Sequence, residues 1–234
     1  MKPKFGTLEK QLSVIEKNNL LRNLQDSKVE KQFIKQNGKN LLNFSSNDYL
    51  AINPSKIRHT QFQSSSRLVS GNDSSFSILE KKLSKHKSQE KTIVYPTGYM
   101  ANIGVISTLA SKQDTIFSDE LNHASIVEAC KLSGAKIMIY KHNDVKDLFQ
   151  KIKKHGKNKF VITEGVFSMD GDFAPLKEIT EISEKNNAIT IVDDAHGDFV
   201  IGKEGKGTPE YFKVAKKIDL YISSLSKGLG SFGG

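Results

Sequence analysis

The chain has 234 residues, enough for one large domain with its own core or one domain with a short appendage. With 37% hydrophobic and 26% charged residues it has the composition of a folded globular protein, which excludes intrinsic disorder. The net charge of +9 does not make a nucleic-acid binder, because only Arg22, Arg58 and Arg67 of the 35 basic residues are arginines and the lysines lie scattered without aromatic interleaving.

Those lysines read as solvated faces and turns, although a basic surface can steer an anionic substrate or an acidic carrier protein toward the chain. No apolar run has the length of a membrane span, and residues 1–24 mix charges into their apolar positions, unlike a secretory signal. A cytoplasmic protein without membrane partners is expected. The single cysteine, Cys130, has no partner for an internal disulfide and reads as a small buried helix residue.

In chain order, Leu8, Leu12, Ile15, Leu20, Leu21 and Leu24 recur at roughly helical spacing and predict an amphipathic leading helix over 7–24. A short extended stretch follows. NLLNFSSNDYL (40–50) begins apolar and ends in turn formers, as a strand entering an ordered loop does. SSSRLVSGNDSSF then reads as a Gly- and Ser-rich turn that feeds a helix over 75–86.

From Lys91 the pattern changes to short β-branched runs: TIVY (92–95), TIFSD (115–119), AKIMIYK (135–141), KFVITEGV (159–166), AITIVDDA (188–195) and DLYISSLS (219–226). Apolar runs without strict alternation are what strands covered on both faces look like. Helical stretches over 99–111, 124–133, 144–155 and 176–186 supply the crossovers. The prediction is an α/β fold with a mostly parallel, doubly wound sheet and chemistry at the carboxyl ends of its strands. Two parts are expected: an N-terminal helix and extended segment (1–50) and a large domain (51–234).

Candidate functional residues fall at those ends. After TIVY, Gly98 and Tyr99 open a helix whose free N–H groups can hold a phosphate, though one glycine alone would be an ordinary turn. After TIFSD, His123 stands in a loop before a helix, where it can stack on a flat ring. Ser168 can donate a hydrogen bond from the loop after VITEG. Asp193 ends a buried-strand pattern, and an acid there needs a partner or a raised pKa; a protonated pyridine nitrogen is such a partner, and capping the next turn is the plainer alternative. His196 is three residues further on. Ser224 and Lys227 follow the last run, where a hydroxyl can meet a phosphate and an amine a cofactor aldehyde.

NFSSNDYL (43–50), SRLVSG (66–71), SDELNHASIVEA (118–129), TEGVFSMDGDFAPL (163–176), VDDAHG (192–197) and SLSKGLG (224–230) occur in this order along nearly the whole chain. In these motifs the chain resembles the α-oxoamine synthases, fold-type-I pyridoxal-phosphate enzymes that join an amino acid to an acyl thioester with loss of carbon dioxide. The resemblance implies the three-layer large domain of that fold and pyridoxal 5'-phosphate as cofactor. It implies Lys227 as the lysine that holds the cofactor aldehyde and takes the α-proton, and Asp193 as partner of the pyridine nitrogen. His123 would stack on the ring and meet substrate, His196 and Ser168 would hold the ring hydroxyl, and Gly98, Tyr99 and Ser224 the phosphate. Arg22 matches the arginine that contacts the acyl substrate, and Asn47 lies near the amino acid.

SRLVSG and GDFAPL favour a member that uses L-alanine and a pimeloyl thioester, carried by coenzyme A or a carrier protein, over members that use glycine or serine. Three departures stand out. Serine replaces the usual threonine at Ser224, QFQSSS (61–66) replaces a glycine-rich stretch, and Asp198 and Phe199 follow HG where smaller residues are common. The chain ends seven residues after Lys227, so the resemblance also implies that a final strand and a C-terminal domain are missing and that the complete protein is a homodimer. A non-catalytic fragment, or an aminotransferase, is the alternative.

Overall fold

The computed structural model describes residues 6–52, 65–153 and 158–234. The chain divides into two compact units, Met1–Ser46 and Asn47–Gly234. Residues 61–64 of the QFQSSS stretch, Arg58 and the end of the helix expected over 144–155 lie outside the described residues.

In the N-terminal unit, helix α1 (Gly6–Lys17) is shorter than the spacing of leucines predicts. Asn19 adopts a left-handed φ of 55°, and the Leu20 amide turns back to the Ile15 carbonyl at 2.9 Å, which closes the helix. Leu20, Leu21, Arg22 and Leu24 therefore belong to an irregular segment. The short extended stretch expected next is a three-stranded antiparallel meander of β1 (Ser27–Glu30), β2 (Phe33–Gln36) and β3 (Lys39–Leu42). Its signal in the sequence is Asn37-Gly38, both at positive φ (50° and 74°), the pair a tight two-residue hairpin favours.

The second unit begins its regular structure with α2 (Ser74–Lys87), whose first turn is capped by Asp73 accepting from the Ser75 amide at 2.8 Å. There follow α3 (Gly98–Leu109), β4 (Thr115–Asp119), α4 (Ala124–Ser133), β5 (Lys136–Tyr140), α5 (Val145–Ile152), β6 (Lys159–Glu164), α6 (Leu176–Lys185), β7 (Ala188–Asp193), the short α7 (Thr208–Tyr211) and β8 (Leu220–Ile222). The five strands β4–β8 form one sheet in the order β5-β4-β6-β7-β8, with every pairing parallel.

Alternate residues of each strand serve opposite faces. Ile116, Phe160, Ile162 and Ile191 pack with Ile106 of α3 and Ile126 and Ala129 of α4. Phe117, Val161 and Val192 pack with Leu148 and Ile152 of α5 and Leu176 and Ile179 of α6. Both sides of the pleat are therefore apolar, and the result is the expected three-layer α/β architecture. Cys130 lies buried in the α3–α4 layer, and burial pushes its thiol pKa up to about 12.

The run TIVY does not become a strand. The Val94 amide donates to Glu80 Oε1 (2.9 Å) and its carbonyl accepts from Arg67 Nη1 (3.0 Å), so an Arg67–Glu80 ion pair takes the place of a ladder neighbour. Arg67, from the SRLVSG motif, also donates to Asn72 Oδ1 (2.9 Å) and lies over the Phe76 ring. Tyr95 alone exchanges a pair of backbone hydrogen bonds, with Gly234, at 2.7 and 3.0 Å. The last run is also trimmed, its strand being Leu220–Ile222, which leaves Ser224 and Lys227 in turns. Among the described residues no helix is long and apolar enough to cross a membrane.

Ile162 is fully buried in β6, a central strand. Ile162→Ala should cost about 2–5 kcal/mol of unfolding free energy through lost burial and the cavity left behind, measured by urea denaturation.

Candidate functional site

Strand order reverses between β4 and β6: β4 leads to β5 on one side, while β6 leads to β7 and β8 on the other. The following helices, α4 and α6, pack on opposite faces, the arrangement in which α/β sheets bind ligands at the carboxyl edge. Glu164 and Asp193, the last residues of β6 and β7, are partners in the parallel ladder and are 4% and 6% exposed.

Asp193 receives two donors. Asn102 Nδ2, from α3, reaches Oδ2 at 2.6 Å, and the Ala195 amide reaches Oδ1 at 3.0 Å. Asn102 is itself buried, and its Nδ2 also donates to Ser125 Oγ at 2.9 Å. Ser125 lies 2.7 Å from His123 Nδ1, and its amide donates to the same nitrogen. A ring nitrogen that accepts an amide proton is unprotonated, so the Ser125 hydroxyl donates to it and His123 carries any single ring proton on Nε2. Asp193 and His123 are thus joined through Asn102 and Ser125, two residues that their sequence setting does not single out.

His123 is also held through its backbone. Its amide donates to Glu164 Oε1 at 2.6 Å. Asn122 Nδ2 bonds the Ile162 carbonyl and Ser118 Oγ, each at 2.9 Å, which ties this loop to β6. Glu164 has its carboxyl pKa raised to about 8, first by burial and then by the charge of Asp193. The ring of Tyr99, in the first turn of α3, meets His123 edge-on with centroids 6.2 Å apart.

His196 lies three residues after Asp193, in the loop that follows β7. Its Nδ1 lies 2.7 Å from the Tyr49 hydroxyl oxygen, and that oxygen lies 3.3 Å from Asn47 Oδ1. Burial, then Lys227 and His123, lower the His196 pKa to about 4. Ser168 is exposed on the loop between β6 and α6. That loop is braced by His142, whose Nδ1 and Nε2 bond Asp119 and Asp172 at 2.9 Å each. Burial opposes the charged ring, yet the hydrogen bonds and charges of both acids win and raise the His142 pKa.

Lys227 lies half-buried in the turns after β8, where its carbonyl accepts from the Gly230 amide at 2.9 Å. Burial lowers its ammonium pKa, against the pull of Asp193 and Glu164. Gly228 permits this turn, because a Cβ there would stand 2.8 Å from Val200 and 2.9 Å from the Asp198 carbonyl. Ser224 is buried beside the start of α3, and a Cβ on Gly98 would meet its Cβ at 3.1 Å. The first-turn amides of Gly98 and Tyr99 have no intrahelical acceptor and suit an anion.

Asp198 and Phe199, the enlarged residues after HG, have partners of their own. Asp198 pairs with the nearly buried Lys87, and Phe199 stacks on His86 at 5.3 Å. Lys87 also donates to the Lys206 carbonyl (2.7 Å) and the Tyr221 hydroxyl (2.5 Å), and Tyr221 donates to Asp194 at 2.8 Å. The last turn of α2 thereby clamps the loop that starts with Asp193 and His196. Arg22 belongs to the N-terminal unit and Asn47 to the unit that carries all the other candidates.

Residues 39–234 match the family described as aminotransferase class I and II. The chain is 41% identical over 238 residues to an 8-amino-7-oxononanoate synthase of Lysinibacillus sphaericus, covering 96% of this chain and 61% of that protein. It is 43% identical over 209 residues to the enzyme of the same name from Thermosipho melanesiensis, covering 84% and 54%. Serine palmitoyltransferase of Sphingomonas wittichii superposes with a TM-score of 0.86 at 31% identity, covering 99% of this chain and 62% of that one. An 8-amino-7-oxononanoate synthase structure from Francisella tularensis gives 0.61 at 35% identity, over 69% and 47%. The chain spans about three fifths of the length of the Lysinibacillus protein, 61%, and 54% of the Thermosipho one.

An imidazole held down to about 4 binds fewer protons folded than unfolded between that value and its ordinary 6.5. Its contribution to stability is therefore present above about pH 6.5 and is lost as pH falls toward 4. His196→Gln should flatten that part of the stability profile, and proton NMR should show the His196 ring neutral at pH 5.5, about one and a half units above its midpoint.

Proposed function

Because the chain belongs to the aminotransferase class I and II family, we propose that it forms the cofactor-holding part of a pyridoxal-phosphate-dependent α-oxoamine synthase. The observation that carries this reading is a buried Asp193 with two hydrogen-bond donors, at a strand end, acting electrostatically on a half-buried lysine whose ammonium is depressed. The residues fit the cofactor. The narrow gap at Gly98 and Ser224 and the free first-turn amides suit its phosphate, a buried carboxylate suits a protonated ring nitrogen, and Lys227 supplies the amine. Pyridoxal phosphate, when bound, supplies an aldehyde for that amine and a protonated ring that accepts the electron pair left at a substrate α-carbon.

Asp193 holds the proton on the ring nitrogen, and Asn102 and the Ala195 amide keep its carboxylate aimed. Burial lowers the Lys227 ammonium toward the neutral amine that can take the α-proton once substrate displaces it. His123 covers the ring face, Ser168 and the neutral His196 meet the ring hydroxyl, and Gly98, Tyr99 and Ser224 hold the phosphate. The contact from Asn47 through Tyr49 to His196 supports a role for Asn47 beside the amino-acid substrate. Arg22 binds the acyl substrate in this reading.

The substrates proposed are L-alanine and a pimeloyl thioester. Their condensation gives 8-amino-7-oxononanoate with release of carbon dioxide and the thiol carrier, a step toward biotin. The names of the sequence relatives support this choice. A serine-using member is the second reading, favoured by the superposition on serine palmitoyltransferase over nearly the whole chain. The whole protein is proposed to act as a homodimer in the cytoplasm.

Lys227→Ala in the full protein that carries this chain should remove the visible absorbance of lysine-bound pyridoxal phosphate and lower turnover by at least about 10²–10⁴-fold. Retained absorbance would sink the assignment. Assays pairing alanine, glycine or serine with pimeloyl and palmitoyl thioesters identify the substrates, and turnover confined to serine would favour the second reading.

A further inference from the structure

Glu164 is absent from the roles assigned above, yet it is placed among them. It pairs with Asp193 in the parallel ladder of β6 and β7, so the two side chains leave the same face of adjacent strands, with backbones about 4.8 Å apart. Both are buried. Two like charges so placed repel each other without water to screen them, and one carboxyl of such a pair keeps a proton.

The hydrogen bonds decide which. Asp193 has a donor on each oxygen, Asn102 Nδ2 and the Ala195 amide, and donors favour the charged form. Among the described residues Glu164 receives one donor, the His123 amide on Oε1. The charges that act on Glu164 are Asp193 from β7 and Asp119 from β4, which oppose its ionisation, and Lys227 from the turn after β8, which favours it. Burial and the two acids outweigh the single lysine.

We propose that Glu164 is a positioning residue that carries the proton of this pair: as the uncharged acid it anchors the His123 backbone while Asp193 keeps the negative charge. The carbonyl oxygen of the neutral acid accepts from the His123 amide, and the other oxygen bears the hydrogen. Glu164 thereby holds the residue that covers the cofactor ring without adding a second negative charge beneath that ring. The consequence for the cofactor rests on the function proposed above; the location of the proton does not.

Two measurements on the full protein test this. Infrared spectra without added cofactor should show a neutral carboxylic-acid band at pH 7 that fades as pH rises through about 8. The Glu164→Gln variant should lack that share of the band. A buried Asp194 has its pKa raised to about 7 and contributes its own share, which cancels in the difference between wild type and Glu164→Gln. An unchanged band at pH 7 in Glu164→Gln would overturn the proposal. In the second measurement, Glu164→Gln, which keeps the shape and an acceptor for His123, should bind pyridoxal phosphate within about twofold of wild type, whereas Glu164→Ala should weaken it by about tenfold or more. Equal loss in both variants would show that a charged Glu164 is needed and would also overturn it. If the wild type takes up no pyridoxal phosphate, the proposed function fails while the infrared result still locates the proton.

Discussion

The parallel register of β6 and β7 is the constraint on which this unit turns, because it ends two buried strands on carboxylic acids side by side. Much of the surrounding hydrogen bonding can be understood as a response to that juxtaposition. Asn102 on α3 and the Ala195 amide stabilise one carboxylate, and the His123 amide takes one oxygen of the other. Because Asn102 also bonds Ser125, which in turn bonds His123, the α3 and α4 helices are both indexed to the strand ends. Helices packed on the sheet by apolar contact alone could slide by fractions of a turn; these polar links at the strand ends restrict that freedom.

A second set of contacts controls the loop that follows β7. Lys87, Asp198, Tyr221 and Asp194 form a largely buried polar group under the segment that carries His196. Thr208 completes it, donating to Asp194 from both its amide (2.7 Å) and its hydroxyl (2.8 Å). Desolvation lowers the Lys87 pKa while Asp198 opposes that fall, the balance expected when a buried ion pair is held by several partners. The bulky Phe199, at a left-handed φ of 62°, is accommodated because His86 stacks against it. Such a conformation is costly for a residue with a Cβ and persists where its surroundings hold it. Hydrogen bonds thus tie the segments on both sides of Asp193 to the helices and the sheet.

Much of the fold was legible. Short β-branched runs alternating with helical stretches located β4–β7 and α2–α6 to within a few residues, because both faces of a parallel sheet must be apolar. The failures have local causes. TIVY has strand composition, but composition does not reveal that Arg67 and Glu80 take its backbone hydrogen bonds. The leading helix is shorter than its leucine spacing predicts because that spacing continues past the left-handed Asn19. Of the meander, the apolar start of NLLNF announces β3, while the pairing of three strands is signalled only by Asn37-Gly38.

Residue type and position after a strand single out Asp193, His123, His196 and Lys227 as candidates, since chemistry gathers where parallel strands end. Glu164, Asn102, Ser125 and Tyr49 were not found that way. Glu164 sits in a run that reads as strand, Asn102 in an apolar helix, and Ser125 and Tyr49 have common structural uses. Their importance is relational. The sequence by itself determined which strands are buried and which polar residues terminate them, because period and burial are written in local pattern. Only the tertiary structure decided that Glu164 and Asp193 stand in register and that Asn102 reaches across from α3, because register and helix placement come from packing between segments up to 91 residues apart.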